Sequence, residues 1–137
     1  VMDSNGLVGY VSEVGVNSSK VRTILDVAVD VTSITSIDSK TREIGNISGS
    51  IELAEQELCQ MEYLPRDSEI EVGDYIYTSG GGGGVFPKDI YIGQVMEIRP
   101  DSEGAGLIAI VKPGADIPAV KNVFVITDFE GKASLEE

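Results

Sequence analysis

The sequence predicts an all-β barrel or sandwich with little helix. Most segments alternate apolar and polar residues with a period of two and are rich in Val and Ile, which is the pattern of half-buried strands. The segments are short and follow one another at close spacing between turn-forming residues, as in small barrels. Hydrophobic residues make up 42% of the 137-residue chain, which is enough for a core in one ordinary domain or two very small ones.

Three strands are predicted at the start of the chain, from the segments "LVGYVSEV", "KVRTIL" and "VAVDVTSI". They follow at hairpin spacing, and the turn cluster "NSS" separates the first two. In the first strand, alternation places Val8, Tyr10, Ser12 and Val14 on one face. The stretch "REIGNISGSIEL" predicts another strand or hairpin.

The middle of the chain is ambiguous at "LAEQELCQMEYL". Helix formers crowd its start, while Cys59, Met61 and Tyr63 alternate like a strand, so we expect a strand from about Leu58. Four more short strands are predicted beyond Pro65, from "YIYTS", "YIGQVMEIRP", "GLIAIVKP" and "NVFVITDF". A faint repeat, "GYVSEV" and "GQVMEI", supports two small subdomains divided near Pro65.

Composition excludes several classes of function. The net charge of −13 argues against nucleic-acid binding, which Lys and Arg drive. The chain has no histidine, which removes Ser-His-Asp and Cys-His catalysis and histidine-ligated zinc. Cys59 is the single cysteine and is expected in the core. We therefore predict no catalytic residue, no cofactor and no metal site. No apolar run approaches the length of a membrane helix, about 20 residues.

The run of five glycines in "TSGGGGGVFPKDIYIG" has three interpretations. A phosphate-binding loop is excluded, because Lys and Ser or Thr do not follow the last glycine and the next segment alternates like a strand. A flexible linker fits poorly, because the run enters the apolar residues Val85 and Phe86 directly. We predict a tight connection between strands, with at least one of Gly80–Gly84 at positive φ and with Val85 and Phe86 packed back on the barrel.

Residues 62–95 have the sequence "EYLPRDSEIEVGDYIYTSGGGGGVFPKDIYIGQV". This stretch resembles the signature region of the MreC family, the rod shape-determining proteins of bacteria. The family pattern runs through a Tyr-Leu-Pro segment, V-G-D, T-S-G with a Gly-Gly pair, F-P and I-G-x-V. The matching positions are Tyr63, Leu64, Pro65, Val72, Gly73, Asp74, Thr78, Ser79, Gly80, Gly83, Gly84, Phe86, Pro87, Ile92, Gly93 and Val95. The opening strands and "VFVI" near the end extend the resemblance over nearly the whole chain.

The resemblance implies two small, six-stranded, Greek-key-like β-barrel subdomains. We expect them at residues 1–64, with the C-terminal strand returning to this first barrel, and at residues 65–132. Residues 133–137 are excluded as a tail with the character of vector sequence. The glycines and neighbouring residues of the motif are expected to be structural: Gly73, Asp74, Thr78, Ser79, Gly80, Gly83, Gly84, Phe86, Pro87 and Gly93.

The resemblance also implies a non-enzymatic scaffold of the cell-elongation machinery. Its expected partners are MreD, a class B penicillin-binding protein (a transpeptidase) and further copies of itself. The expected location is the extracytoplasmic side of the cell membrane, reached through a single membrane helix and a coiled coil upstream of Val1.

Two other functions stay open at this point. Trypsin-like hydrolases are also small double barrels, and "TSGG" places Ser79 beside glycines, although no histidine activates it. A generic barrel adaptor of a secretion or membrane-fusion system is the other alternative. For partner contact we select Tyr77 and Tyr91, since tyrosine combines an apolar ring with a polar tip.

Overall fold

The protein is almost entirely β in a computed structural model that describes residues 1–35, 43–80 and 86–129. Short strands with tight connections dominate, as the alternating pattern predicts. In chain order the strands are β1 (Met2–Asp3), β2 (Gly6–Leu7), β3 (Gly9–Val14), β4 (Ser19–Thr23), β5 (Val31–Thr35), β6 (Ile44–Ser48), β7 (Cys59–Pro65), β8 (Tyr75–Thr78), β9 (Tyr91–Pro100) and β10 (Gly106–Pro113). Helix α1 (Ile51–Ala54) and a 3₁₀ turn (Ile117–Ala119) complete the elements of the described part.

A closed six-stranded barrel forms the centre of the molecule. Its strand order is β10-β7-β6-β5-β8-β9, and every neighbouring pair is antiparallel. Closure pairs each barrel strand on both sides and leaves no free edge. The core inside it is aliphatic, with Ile47, Met61, Ile76 and Ile92 fully buried. The predicted all-β class and a six-stranded barrel are thus confirmed, but the described residues form one closed barrel and not the two that were predicted.

The predicted boundary between residues 64 and 65 needs correction, because this barrel is built across it. Strand β7, which ends at Pro65, pairs with β6 on one side and with β10 on the other. Strand β8 in turn pairs with β5 from the first half of the chain. The two halves therefore share one barrel and one core. Local patterns cannot reveal this, because the pairings join segments far apart in sequence.

The first strands lie outside the barrel as two small sheets, β1–β2 and the β3–β4 hairpin. The predicted hairpin is confirmed, but its predicted face is wrong. The register shifts between Val11 and Glu13, so that Val11 pairs with Val21 and Val14 pairs with Ser19. This β-bulge moves Val14 to the face of Val11 instead of that of Tyr10. A second hairpin from β4 to β5 does not form, since β5 pairs with β6 and β8.

Two further segments differ from expectation or resolve an ambiguity. At "LAEQELCQMEYL" both patterns are real: α1 is capped by the Ser50 hydroxyl, which accepts from the Leu53 N–H, and β7 follows from Cys59. Cys59 and Met61 are buried, but Tyr63 is 76% exposed at φ +66. Near the C-terminus, "NVFVITDF" forms only one isolated bridge, between Phe124 and Met2, instead of a strand.

Candidate functional site

The glycine-rich connection between β8 and β9 is held closed at its base by Thr78. The fully buried Thr78 hydroxyl donates to the Pro87 carbonyl at 2.6 Å and accepts from the Ile90 N–H at 2.9 Å. The Thr78 backbone adds two bonds: its N–H donates to the Ile90 carbonyl, and its carbonyl accepts from the Asp89 N–H. A threonine is suited to this position because one hydroxyl satisfies two backbone groups of the segment that leads into β9.

The first glycine of the run has the conformation that the sequence predicts. Gly80 lies at φ +82, and a Cβ added there would come within 2.8 Å of the Lys88 Cβ. Both facts favour glycine, since other residues are strained at positive φ and there is no room for a side chain. The prediction of a positive φ within Gly80–Gly84 is therefore confirmed. Gly83, Gly84 and Val85 lie outside the described residues.

Other residues of the motif hold strand ends together. Gly73 turns at φ +98 before β8, and the Asp74 carboxylate accepts from the Glu71 N–H at 2.9 Å. A Cβ on Gly93 would lie 2.2 Å from the Lys112 carbonyl oxygen, so only glycine allows β9 and β10 to approach here. The Ser79 N–H donates to the Thr32 carbonyl, which ties the loop to β5.

Phe86 connects the glycine-rich connection to the β3–β4 hairpin. Its side chain is 7% exposed and meets the Tyr10 ring edge to face, with centroids 6.0 Å apart and planes at 88°. This arrangement brings the positive edge of one ring to the negative face of the other. Phe86 therefore packs back as predicted, although its partner is the hairpin as well as the barrel.

Beside this ring contact lies an apolar groove of about 780 Å³, which we call the hairpin groove. Its walls are the β3–β4 hairpin, the Phe86–Ile90 segment and the C-terminal stretch. It is lined by Val1, Met2, Leu7, Gly9, Tyr10, Val11, Val14, Ser19, Val21, Phe86, Pro87, Ile90, Val123, Val125, Ile126, Thr127 and Phe129. Among the described residues, no charged side chain belongs to this lining. Val14 is 81% exposed and Val125 is 54% exposed, so the groove leaves large apolar side chains in contact with water.

A second surface is formed by three tyrosines, Tyr75, Tyr77 and Tyr91, which we call the tyrosine cluster. Tyr91 contacts both others, with ring centroids 6.0 Å from Tyr75 and 5.6 Å from Tyr77. Burial, together with these two neighbouring hydroxyls, raises the pKa of the Tyr91 hydroxyl. The hydroxyl is therefore protonated at neutral pH. The two tyrosines selected from the sequence are thus brought together.

The sequence did not reveal the hairpin groove. Its hairpin wall depends on the bulge after Val11, and the segment at Val125 lacks the strand pairing that its pattern predicts. Tyr75 is 52% exposed, and alternation alone did not predict this exposure. Tyr75 and Tyr77 are two residues apart on one strand, and this spacing is the signal that could have placed both on one face.

The described residues contain neither a metal-binding cluster nor a reactive cysteine. They contain no group of three or more Cys, Asp and Glu side chains placed to hold a metal ion. Cys59 is fully buried, as predicted, and burial raises the pKa of its thiol to about 12, so it stays protonated. A buried, protonated thiol is a poor nucleophile. Within residues 1–35, 43–80 and 86–129, no helix has the length and apolarity needed to cross a membrane.

Comparison with protein families gives a match along most of the chain. Residues 1–127 match the family model "Rod shape-determining protein MreC, barrel core". The cell shape-determining protein MreC of Listeria monocytogenes is 30% identical over 126 residues, which are 92% of this chain and 42% of that protein. MreC of Bacillus subtilis is 34% identical over 130 residues, which are 90% of this chain and 44% of that protein. The chain thus spans less than half the length of these relatives.

Solved structures show the same fold. The MreC structure from Listeria monocytogenes superposes with a TM-score of 0.73 at 31% identity, covering 85% of this chain and 54% of that one. A complex between penicillin-binding protein PBP2 and MreC from Helicobacter pylori matches with a TM-score of 0.59 at 19% identity, covering 77% and 61%. At that identity the second likeness shows the fold alone.

Proposed function

The chain belongs to the MreC family of rod shape-determining proteins, and on this basis we propose that it is a non-enzymatic scaffold of the bacterial cell-elongation machinery. In this role it holds and regulates proteins of peptidoglycan synthesis and so maintains cell shape. It works on the extracytoplasmic side of the cell membrane, attached by a single membrane helix that is not among the described residues. MreD and further copies of the chain are additional partners.

The hairpin groove is the observation that carries this proposal. Surfaces that bind partner proteins typically have an exposed apolar patch, and few charged residues lie at its centre. The groove has this character in a chain whose net charge is −13, so it is set apart from the acidic remainder of the surface. Aliphatic and aromatic side chains from three segments converge on it, with Phe86 at the junction.

We assign a class B penicillin-binding protein to this groove. The support is that an MreC of the same fold, from Helicobacter pylori, forms a complex with PBP2. Burying the exposed Val14 and Val125 side chains against an apolar partner surface would stabilise the complex through the hydrophobic effect. Tyr77 and Tyr91 are assigned to partner contact outside the groove.

The experiment is a binding titration between this chain and the transpeptidase ectodomain from the same organism. Val14→Asp places a carboxylate in the groove, while Val72→Asp places one at a 63% exposed valine that does not line it. The two variants have the same charge, so general electrostatics cancels in the comparison. We expect Val14→Asp to weaken binding at least ten-fold and Val72→Asp to leave it unchanged. Equal affinities for both variants, or no binding by the wild-type chain, would reject the groove assignment.

The absence of enzymatic function is tested separately. Peptide, ester and peptidoglycan substrates should not be turned over by the purified chain. Steady turnover that disappears in Ser79→Ala would replace the scaffold proposal with a hydrolase.

A further inference from the structure

The tyrosine cluster is an aromatic surface that the barrel core does not need. Tyr75 and Tyr77 are two residues apart on β8, and Tyr77 lies opposite Tyr91 on β9. The buried residue between them, Ile76, faces the core at 0% exposure, so the tyrosines lie on the outer face of the barrel. The Tyr91 ring contacts the other two rings, so the three form a continuous aromatic area on this outer face.

Two glycines hold Tyr91 in place within this area. A Cβ on Gly114 would lie 2.5 Å from Cε2 of the Tyr91 ring, and one on Gly6 would lie 3.4 Å from its Cδ2. A larger residue at Gly114 would displace the ring, and one at Gly6 would clash with the Tyr91 carbonyl oxygen, 2.8 Å from the added Cβ. Tyr91 is therefore positioned by the backbone around it, while Tyr75 reaches solvent and is 52% exposed. Such a positioned ring costs little conformational entropy when a ligand binds.

The rings are inclined instead of stacked. The planes of Tyr75 and Tyr77 make angles of 60° and 59° with the plane of Tyr91. Because the rings do not lie face to face, they do not cover one another's faces completely. Aromatic faces carry the negative end of the ring quadrupole and attract cations placed within about 6 Å. Several such faces together form a surface complementary to positive charge.

Acidic residues stand close in sequence to the tyrosines of the cluster and to Gly114, which packs against Tyr91. Asp74 directly precedes Tyr75, Asp89 lies two residues before Tyr91, and Asp116 lies two residues after Gly114. Each of the three ion pairs within the described residues involves other acids. Together with Glu71, these segments contain four acidic residues and only two basic ones, Lys88 and Lys112. Together with a net charge of −13, this excess favours a cationic ligand.

We propose that the tyrosine cluster is a docking site for an arginine-bearing, cationic segment of a protein partner. Arginine is favoured over lysine because its planar guanidinium stacks on aromatic rings and is more weakly hydrated. Asp74 and Asp89 would add charge attraction that accelerates encounter. Nucleic acids and anionic lipid surfaces are repelled by the same carboxylates.

The site rests on the proposed scaffold function and gives it a second surface. Strand β2 separates the two surfaces, since Gly6 contacts Tyr91 while the next residue, Leu7, lines the hairpin groove. Successive strand residues point to opposite sides. One partner can therefore occupy the groove while another occupies the cluster, which is what a scaffold requires.

The test is a titration of the whole chain with three blocked peptides, Gly-Arg-Gly-Arg-Gly and its Lys and Glu counterparts, followed by NMR chemical shifts and tyrosine fluorescence. The chain has no tryptophan, so tyrosine emission is observed directly. We expect saturable binding of the Arg peptide, weaker binding of the Lys peptide and none of the Glu peptide. Affinity should fall as salt concentration rises.

Variants localise the binding. Tyr75→Leu and Tyr77→Leu should each lower the affinity for the Arg peptide about two- to five-fold. Tyr75→Phe, which keeps the ring, should bind this peptide like wild type. Tyr63→Leu is the matched control, because Tyr63 is 76% exposed and makes no ring contact with the cluster. Unchanged affinity in both cluster Leu variants, or no saturable binding by wild type, would overturn the site.

The outcome also separates this site from the proposed function. If the chain binds the transpeptidase through the groove but not the Arg peptide, the cluster assignment is wrong and the scaffold stands. If the Arg peptide binds in a tyrosine-dependent way but the transpeptidase is not captured, the transpeptidase assignment is wrong and the cationic site stands.

Discussion

Replacing Gly80 by alanine should destabilise the fold by an amount that the geometry divides into two parts. The backbone lies at φ +82, and left-handed conformation costs a residue with a Cβ about 1–2 kcal/mol. In addition, the new Cβ would approach the Lys88 Cβ to 2.8 Å and its Cα to 3.4 Å. Relieving such overpacking costs typically about 1–3 kcal/mol. The expected loss in free energy of unfolding is therefore about 2–5 kcal/mol.

Gly104→Ala is the matched control. Gly104 also lies at positive φ, at +70, but a Cβ there would meet nothing within 4 Å. It should lose only the backbone part, about 1–2 kcal/mol. Urea denaturation of both variants, followed by circular dichroism, measures the two losses. Equal losses would refute the close contact at Lys88. Wild-type stability in the Gly80 variant would refute the structural role of this glycine and restore the flexible-linker interpretation.

Three further predictions concern stability. Thr78→Val removes the hydroxyl that serves both Pro87 and Ile90 and should cost about 1–3 kcal/mol in urea denaturation, while Thr78→Ser, which keeps the hydroxyl, should cost less; equal losses would deny the hydroxyl this role. Phe86→Ala should lower the free energy of unfolding by about 3–5 kcal/mol. Phe124→Ala, at a 66% exposed residue, should lower it by less than about 1 kcal/mol, and similar losses for both variants would contradict the packing of Phe86. Burial raises the pKa of the Cys59 thiol from 9.0 to about 12, so the protonated thiol stabilises the fold fully below pH 9. That stabilisation is lost as pH rises from 9 towards 12, by up to about 1.4 kcal/mol per pH unit, and Cys59→Ala should remove this slope from unfolding measured across pH.

Part of the candidate site could be foreseen because its causes are local. The glycine run, followed at once by Phe86, indicates a tight connection, since glycine at positive φ and an apolar residue after it are both sequence-level signals. Gly80 and Phe86 have these roles in the structure. Thr78 was identified only through the family pattern. Its structural role depends on hydrogen bonds to Pro87 and Ile90, and the spacing of these residues in the sequence does not predict such bonds.

The phase of alternation fails wherever a bulge intervenes. The bulge at Ser12 sends Val14 to the other face of β3, and at φ +66 Tyr63 leaves the face shared by Cys59 and Met61. A bulge inserts one residue into a strand, so every later side chain changes sides. The partner strand sets where it occurs, and the sequence of one strand does not contain that information.

By itself the sequence determined the β class, the short strands, the buried Cys59 and the exclusion of histidine-based chemistry, because period, composition and residue inventory are properties of the chain. Only the tertiary structure decided that β7 pairs with β10 and β8 with β5, so that one barrel crosses Pro65. It also brought Val14 and Val125 to one groove and Tyr77 and Tyr91 to one cluster. These contacts depend on barrel closure, which is selected by the shared burial of distant strands and not by any local pattern.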